Sequence, residues 1–193
     1  MATPIVVSFT ISIFPGFGRL SLRPMRIGLL SDTHGYVDES IGTYLKVCDE
    51  IWHAGDFGNE AVVERLQQWA DVQGVYGNID SAAVRRRFPE TLRLEREGVR
   101  LFMRHILPRP ARYGPSLAAE IDEYGASLVV CGHSHIALVE RDPVTGILHI
   151  NPGAAGRQGW HTVRTLMRFT LNAGTLKDLE LIELGPRVRP RGE

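Results

Sequence analysis

The chain has 193 residues, and its 22 Lys and Arg balance 22 Asp and Glu, so the formal net charge at pH 7 is zero. This length suits one domain with a substantial core, and the balanced charge favours neither nucleic acid nor a membrane surface as a partner. The cysteines, Cys48 and Cys131, form no C-x-x-C pair, which argues against a disulfide scaffold or a thiolate metal site and predicts buried thiols in a reducing cytoplasm.

The first 24 residues are set apart from the rest. Residues 5–14 are largely apolar, but no basic segment precedes them and Pro15-Gly16 follows, which is untypical of a signal peptide. The run is also shorter than the roughly 20 residues that span a bilayer. We expect residues 1–24 to be a disordered extension or an upstream start-site artefact, residues 25–184 a single domain, and residues 185–193 a flexible tail. The apolar run could pack against a second copy, so a homo-oligomer is expected.

From Met25 onward, short apolar runs alternate with amphipathic stretches. Runs typical of buried strands lie at 27–30, 50–54, 72–76, 99–104, 128–131 and 147–150. Apolar residues at helical spacing predict covering helices at 60–69 and 117–124. Residues 91–97 and 99–103 predict one hairpin, and residues 165–171 and 176–184 predict another. The alternation indicates an α/β architecture.

Ligand-type side chains follow the ends of five of these predicted strands. Open α/β sheets bind their ligands at the carboxyl edge of the strands, so these side chains are expected to converge. Residues two apart on a strand point to the same side, which would aim both members of each paired string into one cavity. Taken singly, each string has a structural alternative as a helix cap or a turn. The strings are Asp32-Thr33-His34, Gly55-Asp56, Gly77-Asn78, His105 and Gly132-His133-Ser134-His135.

This order of strings resembles the calcineurin-like metallophosphoesterase superfamily, whose signature is D-x-H, G-D, G-N-x-D/E, a lone His, and G-H-x-H. The resemblance runs from Met25 to about Gly153. The small size and the strings Gly77-Asn78-Ile79-Asp80 and Ile150-Asn151-Pro152-Gly153 are similar to the compact YfcE-like phosphodiesterase branch. The resemblance implies a four-layer sandwich of two mixed β-sheets flanked by helices.

The resemblance also implies a dinuclear site in which Asp56 bridges two divalent metal ions and is catalytic together with Asn78 and His105. Carboxylate, amide and imidazole ligands without thiolate suit Mn²⁺, Ni²⁺, Fe²⁺ or Zn²⁺, and Mn²⁺ is favoured. A metal-bridging hydroxide would then attack a small phosphoester substrate, with a phosphodiester favoured over a monoester. The implied ligands are Asp32, His34 and His135 for one ion, and Asn78, His105 and His133 for the other.

One departure from the larger members concerns the leaving group. Ile79 stands where many larger members have a histidine that protonates the leaving group. Because general acid catalysis is worth about 10²–10⁴-fold in rate, this chain is expected to prefer substrates with good leaving groups. Asp80 could replace that acid in part or cap the following segment. His53 is interpreted as a histidine that is packed or that supports a ligand. The loops at residues 35–40, 107–114 and 156–161 are expected around the metal edge, and Trp160 in the last of them is interpreted as a packing residue, with stacking on a base or sugar as the alternative. Two alternative functions are a protein-binding scaffold like the retromer subunit that shares this fold, and a nucleotide-sensing hydrolase.

Overall fold

The computed structural model describes residues 9–12 and 23–188, and these form eleven strands and four helices. The predicted strands, helices and hairpins are all observed, and four short elements at residues 9–12, 39–45, 82–87 and 137–141 are additional. The elements in chain order are β1 (Phe9–Ser12), β2 (Met25–Leu30), α1 (Glu39–Leu45), β3 (Glu50–His53), α2 (Glu60–Gln67), β4 (Asp71–Gly74), α3 (Ala82–Arg87), β5 (Thr91–Arg96), β6 (Val99–Arg104), α4 (Pro115–Tyr124), β7 (Leu128–Val130), β8 (Ala137–Arg141), β9 (Leu148–Pro152), β10 (Val163–Asn172) and β11 (Thr175–Pro186).

The described strands form two mixed sheets. The first has the order β1-β11-β10-β2-β3-β4, and the second has the order β5-β6-β7-β9-β8. In the first sheet β2, β3 and β4 run parallel, and in the second β6, β7 and β9 run parallel. Each parallel set is continued by antiparallel strands. The prediction of two mixed sheets is therefore confirmed.

The faces of the strands explain the layering. In β6, Leu101 and Met103 belong to the central core between the sheets, whereas Phe102 packs with Ile121 of α4 on the outer face. Both faces of this strand are covered around residues 101–103, which is why these three residues form a continuous apolar run. On the other side of the molecule, Leu66 of α2 packs over the outer face of the first sheet. The result is the predicted four-layer arrangement.

The short helices are defined by their caps. The side chains of Asp38, Asn59 and Ser81 each accept a hydrogen bond from the backbone N–H three residues later, at the starts of α1, α2 and α3. α4 begins with Pro115 at its first turn and ends at Gly125, whose left-handed backbone (φ 68°) suits a glycine C-cap. With so few turns, α1 and α3 give no clear periodicity, so their existence is hard to predict from apolar spacing.

The two ends of the chain differ in detail from the predicted boundaries. Within residues 1–24, β1 pairs antiparallel with β11, with Ile11 opposite Leu176, and the remaining residues before 23 lie outside the described part. At the other end β11 continues through Pro186, and Arg187 still donates to the backbone of residues 157 and 161. Residues 189–193 also lie outside the described residues. None of the described helices is long and apolar enough to cross a membrane.

Candidate metal centre

The seven ligand-type side chains follow the carboxyl ends of five strands. His105 is the first residue after its strand, and the other six lie two to five residues beyond theirs. Strands from both sheets contribute, so the site lies where the two sheets open at one edge. The pairs of strand and following side chains are β2 with Asp32 and His34, β3 with Asp56, β4 with Asn78, β6 with His105, and β7 with His133 and His135.

One compact group of ligand atoms comes from Asp32, His34 and His135. Their ligand atoms all lie within 4.8 Å of one another. The Nε2 atom of His135 is 3.1 Å from Asp32 Oδ1 and 3.2 Å from His34 Nε2. Asp32 is fully buried, and the two imidazoles are mostly buried. These are the three residues that the resemblance assigns to one metal ion.

A second group is built around Asp56 and His105. The Nε2 atom of His105 lies 3.3 Å from Asp56 Oδ2 and 3.1 Å from Asn78 Oδ1. Asp32 also lies within this group's reach, so its carboxylate is shared between the two groups. The ring of His133 stands edge-on to that of His105, with centroids 5.3 Å apart, and it is exposed. His133 therefore borders the second group without entering its compact set of ligand atoms.

Asp56 also reaches the first group. Its Oδ2 atom, which lies beside His105 Nε2, is also 3.9 Å from His34 Nε2. The same carboxylate accepts a hydrogen bond at Oδ1 from the backbone N–H of Ile79, which fixes its orientation. Asp56 thus belongs to the second group and approaches the first, as expected of a bridging ligand, whereas Asp32 belongs to both groups.

The backbone places these side chains in a way that strand alternation does not. Strand β2 ends at Leu30 and β7 at Val130, so the paired ligands lie in loops, and the expected strand geometry is wrong for them. Among the described residues nine non-glycine positions have positive φ, and five of these are predicted ligands. Such backbone conformations are costly and concentrate at functional sites. The five are Asp32 (54°), His34 (47°), Asp56 (59°), His133 (65°) and His135 (59°).

The glycines of the strings are explained by close approach to the ligands. A Cβ atom at Gly55, where φ is 97°, would lie within 2.5–2.8 Å of the His105 ring. A Cβ atom at Gly77 would collide with the carboxylate of Asp56. Any side chain at these positions would displace a ligand, so the glycines belong to the site as much as the residues that follow them.

The donor atoms fit a divalent cation. Asp32 Oδ2 accepts from Ser31 Oγ at 2.6 Å and from the backbone N–H of His133 at 3.0 Å, but the buried Oδ1 has no hydrogen-bond partner. A buried carboxylate oxygen left unpaired is costly, and this one faces two imidazole nitrogens. Carboxylate, amide and imidazole donors suit borderline divalent ions. The residues present therefore fit the divalent metal ions that the family resemblance implies.

The electrostatics of the second group follow from burial and pairing. Burial lowers the pKa of His105, but its hydrogen bond with Asp56 and the charges of Asp32 and Asp56 outweigh this, so the pKa is raised. Burial raises the pKa of Asp56, but His105 and the Ile79 N–H outweigh it, so the pKa is lowered. In the first group, burial dominates and lowers the pKa of His34. Because metal ligands must be deprotonated, metal binding at His105 competes with protonation of its ring.

Two supporting residues near the site have roles that the sequence left open. His53 is fully buried, stacks on Phe57 with centroids 3.6 Å apart, and lies 3.0 Å from Thr33 Oγ1 through its Nε2 atom. It is a packed residue, as expected. Asp80 does not cap α3, because Ser81 does so. Its carboxylate instead accepts backbone N–H groups of three other residues.

These three donors come from both sides of the site. Oδ2 of Asp80 accepts from Asp56 N at 3.0 Å and from Gly77 N at 2.7 Å, while Oδ1 accepts from Gly58 N at 2.7 Å. Asp80 therefore ties the loop that carries Asp56 to the loop that carries Asn78. The string Gly77-Asn78-Ile79-Asp80 contained the residue, but the partners 22 and 24 residues away could not be identified from it.

The loop at residues 156–161, which the sequence analysis placed at the edge of the site, contacts the first group. Gly156 N–H donates to the carbonyl of Asp32 at 3.0 Å, and Nδ1 of His161 lies 3.2 Å from Nδ1 of His135. Between them Trp160 is fully exposed, so its interpretation as a packing residue is wrong. The position of this loop was expected, but the contact of His161 with His135 was not, because His161 has no spacing that marks it as part of the site.

Comparisons with known proteins identify the family. The profile of the calcineurin-like phosphoesterase superfamily domain matches residues 25–174. A probable metallophosphoesterase of Methanocaldococcus jannaschii is 30% identical over 139 residues, which is 67% of this chain and 68% of that protein.

Solved structures share the fold. A conserved protein of Streptococcus pneumoniae, described as a predicted phosphoesterase, has a TM-score of 0.63 at 22% identity, covering 89% of this chain and 96% of that one. An archaeal phosphodiesterase has a TM-score of 0.59 at 23% identity over 75% and 92% of the two chains. Vps29 of Entamoeba histolytica, complexed with zinc, has a TM-score of 0.61 at 18% identity over 83% and 100%. With the profile covering most of its length and the ligand-type residues gathered at one edge, this chain belongs to the calcineurin-like phosphoesterase superfamily.

Proposed function

We propose that this protein is a metal-dependent phosphodiesterase that holds two divalent metal ions, with Mn²⁺ favoured. The observation that carries the proposal is the convergence of carboxylate, amide and imidazole groups from five loops on one site with an unpaired buried oxygen, Asp32 Oδ1. When bound, a pair of such ions supplies a nucleophile at neutral pH and positive charge for the phosphoryl transition state. Asp32, His34 and His135 would hold one ion, and Asn78, His105 and His133 the other.

Asp56 and His105 would do most of the positioning of the ligand atoms. Asp56 lies within 3.9 Å of His34 Nε2 and 3.3 Å of His105 Nε2, so its carboxylate could serve both groups. His105 Nδ1 lies 2.8 Å from the carbonyl of Ala54, to which it donates, which leaves Nε2 as the ligand atom beside Asn78 Oδ1. Both contacts fix ligand atoms before any substrate arrives.

A diester is supported by the space beside the second group. A cavity of about 290 Å³ opens next to Asn78 and His105. A phosphodiester has a second ester group that a monoester lacks, and this cavity offers a place for it. The walls carry an aromatic ring and charged groups of both signs, from Tyr76, Arg85, Glu90 and Arg104. The archaeal protein of similar fold is called a phosphodiesterase, which agrees with the proposal.

The leaving group would depart without an imidazole acid in this chain. Ile79, at the position discussed above, is 47% exposed and points no titratable group at the site. Asp80, the nearest carboxylate in sequence, is engaged with three backbone N–H groups. We therefore propose substrates whose leaving group is weakly basic. The buried and unpaired thiols of Cys48 and Cys131 suit a cytoplasmic enzyme.

The test is hydrolysis of bis(p-nitrophenyl) phosphate by metal-stripped protein titrated with Mn²⁺, Ni²⁺, Zn²⁺ and Mg²⁺. The Asp56→Asn variant should bind less metal and lose turnover while keeping its circular dichroism spectrum. Asp122→Asn, on the exposed side of α4, is the matched control and should behave as wild type. Metal-restored turnover that Asp56→Asn lacks would support the enzyme. No turnover with any ion, despite two bound metals per chain, would favour the protein-binding scaffold instead.

A further inference from the structure

His161 is outside the predicted ligand set and yet touches it. It lies on the loop that follows the Ala154–Gly156 turn, 26 residues from His135, and the two rings meet edge to face with centroids 5.1 Å apart. Each ring of this pair has a second contact. His161 Nε2 lies 3.1 Å from the carbonyl oxygen of Gly156. His135 Nε2 points at Asp32 and His34, as described above.

The contacts of His161 with Gly156 and with His135 assign the protons of this pair of rings. A carbonyl oxygen only accepts, so His161 must carry a proton on Nε2 and donate it to Gly156. In the neutral ring the Nδ1 atom of His161 is then a lone-pair acceptor. The facing Nδ1 atom of His135, 3.2 Å away, must therefore carry the proton of the bond between the rings. The lone pair of His135 is left on Nε2, the atom that faces Asp32 and His34.

We propose that His161 is a positioning residue that holds His135 in the tautomer and orientation required of a metal ligand. The proposal rests on the proposed function, because it takes His135 to be a ligand. Ligating histidines usually donate their second N–H to a carboxylate, a carbonyl or water, and here a second histidine takes that place. His161 accordingly donates to the carbonyl of Gly156, and the N–H of the same residue donates to the carbonyl of Asp32. Gly156 therefore links His161 to the backbone of the ligand Asp32.

The glycine between them shows how closely this loop follows the ligand. Gly159 has φ 115°, and a Cβ atom there would collide with Nδ1 and Cε1 of His135. The loop backbone thus runs close to the Nδ1 and Cε1 atoms of His135, beside the nitrogen that His161 contacts. Both contacts restrict the orientation of the His135 ring.

The test compares metal binding by His161→Ala and His161→Asn with wild type, using Co²⁺ followed by its visible absorption and by calorimetry. Loss of the acceptor in His161→Ala should weaken one of the two sites by about 10–100-fold and change its absorption band, leaving the other site unchanged. Asn carries an oxygen close to the place of the imidazole Nδ1, so His161→Asn should recover most of the affinity. Trp160→Ala, the fully exposed neighbour, is the control and should bind as wild type.

A second measurement decides the tautomers directly. In zinc-loaded wild-type protein, long-range ¹H–¹⁵N NMR spectra should show His161 protonated on Nε2 and His135 on Nδ1. This readout needs no variant and settles the proposal if His161→Ala fails to fold. The opposite tautomer at His161, or a His161→Ala variant that binds both Co²⁺ ions as wild type does, would overturn the positioning role and leave the proposed function standing. Wild-type protein that binds no Co²⁺ would overturn both.

Discussion

Removing the carboxylate of Asp80 should destabilise the protein and loosen the site at once. Asp80 is 6% exposed and accepts three backbone N–H groups, two at Oδ2 and one at Oδ1. In Asp80→Ala the donors on Asp56, Gly58 and Gly77 lose their partner. A buried donor left unsatisfied costs about 1–3 kcal/mol. If water enters the space and satisfies part of this, the three donors together should cost about 3–4 kcal/mol, a large part of a typical stability of about 5–15 kcal/mol.

The Asp80→Asn variant separates hydrogen bonding from shape. With its carbonyl oxygen in the place of Oδ2 it keeps the bonds to Asp56 and Gly77, but it turns an NH₂ group towards Gly58 N–H. It should therefore lose about half as much stability as Asp80→Ala. Because Asp80 joins the loops of Asp56 and Asn78, both variants should also bind metal at the second group more weakly.

Urea unfolding of the metal-free protein, followed by circular dichroism, measures this effect as a shift in midpoint at an unchanged slope. Asp122→Ala, on an exposed helix surface, is the matched control and should lie within about 0.5 kcal/mol of wild type. A loss below about 1 kcal/mol for Asp80→Ala would refute the reasoning, because three buried donors cannot all be left unpaired at so small a cost.

Three further outcomes follow from other contacts. Arg164, whose side chain is 3% exposed, donates from both Nη atoms to Asp38, and Asp38→Ala would leave this buried charge unpaired. The free energy of unfolding measured in urea should therefore fall by about 3–5 kcal/mol, and a loss no larger than that of a surface substitution would contradict this. Burial lowers the pKa of His149 to about 4, so as the pH falls the unfolded chain is protonated at this residue before the folded chain is. The free energy of unfolding should therefore drop by about 3 kcal/mol from about pH 6.5 to about pH 4. His149→Phe should remove that part of the pH dependence, and an unchanged pH profile in this variant would contradict the role of His149. Since Ile79 supplies no proton, nitrophenyl diesters should be hydrolysed much faster than alkyl diesters, and equal kcat/KM values would show that another acid acts.

Much of the fold and the candidate ligands could be predicted because their signals are local. In three of the five strings a largely apolar run ends, a glycine follows, and a carboxylate, amide or imidazole comes next, as at Asp56, Asn78 and His133. At Gly55 and Gly77 the glycine is required because any Cβ atom would strike His105 or Asp56. The sequence carries this steric requirement in adjacent letters, so the pattern can be found without knowing the fold.

The parts that could not be predicted depend on contacts between distant segments. The strand alternation expected for His133 and His135 is wrong, because both lie beyond the end of β7 with left-handed backbone. His161 meets His135 across 26 residues, and nothing in the spacing of the two marks that meeting. Asp80 was visible as part of a string, yet its partners belong to a loop more than 20 residues earlier.

These distant contacts also explain how the ligand loops keep an unfavourable backbone. A non-glycine residue in the left-handed region costs about 1–3 kcal/mol, with Asp and His at the lower end because they are enriched there. Five such residues hold the predicted ligands. The hydrogen bonds that offset this cost come from backbone and buried side chains: Asp80 supports the Asp56 loop, Asp32 Oδ2 accepts from His133 N–H, and Gly156 N–H donates to the Asp32 carbonyl. None of these bonds involves the unpaired Asp32 Oδ1 or the facing imidazole Nε2 atoms. The scaffold therefore satisfies the atoms that shape the loops and leaves unsatisfied those that would bind metal, so a bound ion would add to a formed site rather than create it.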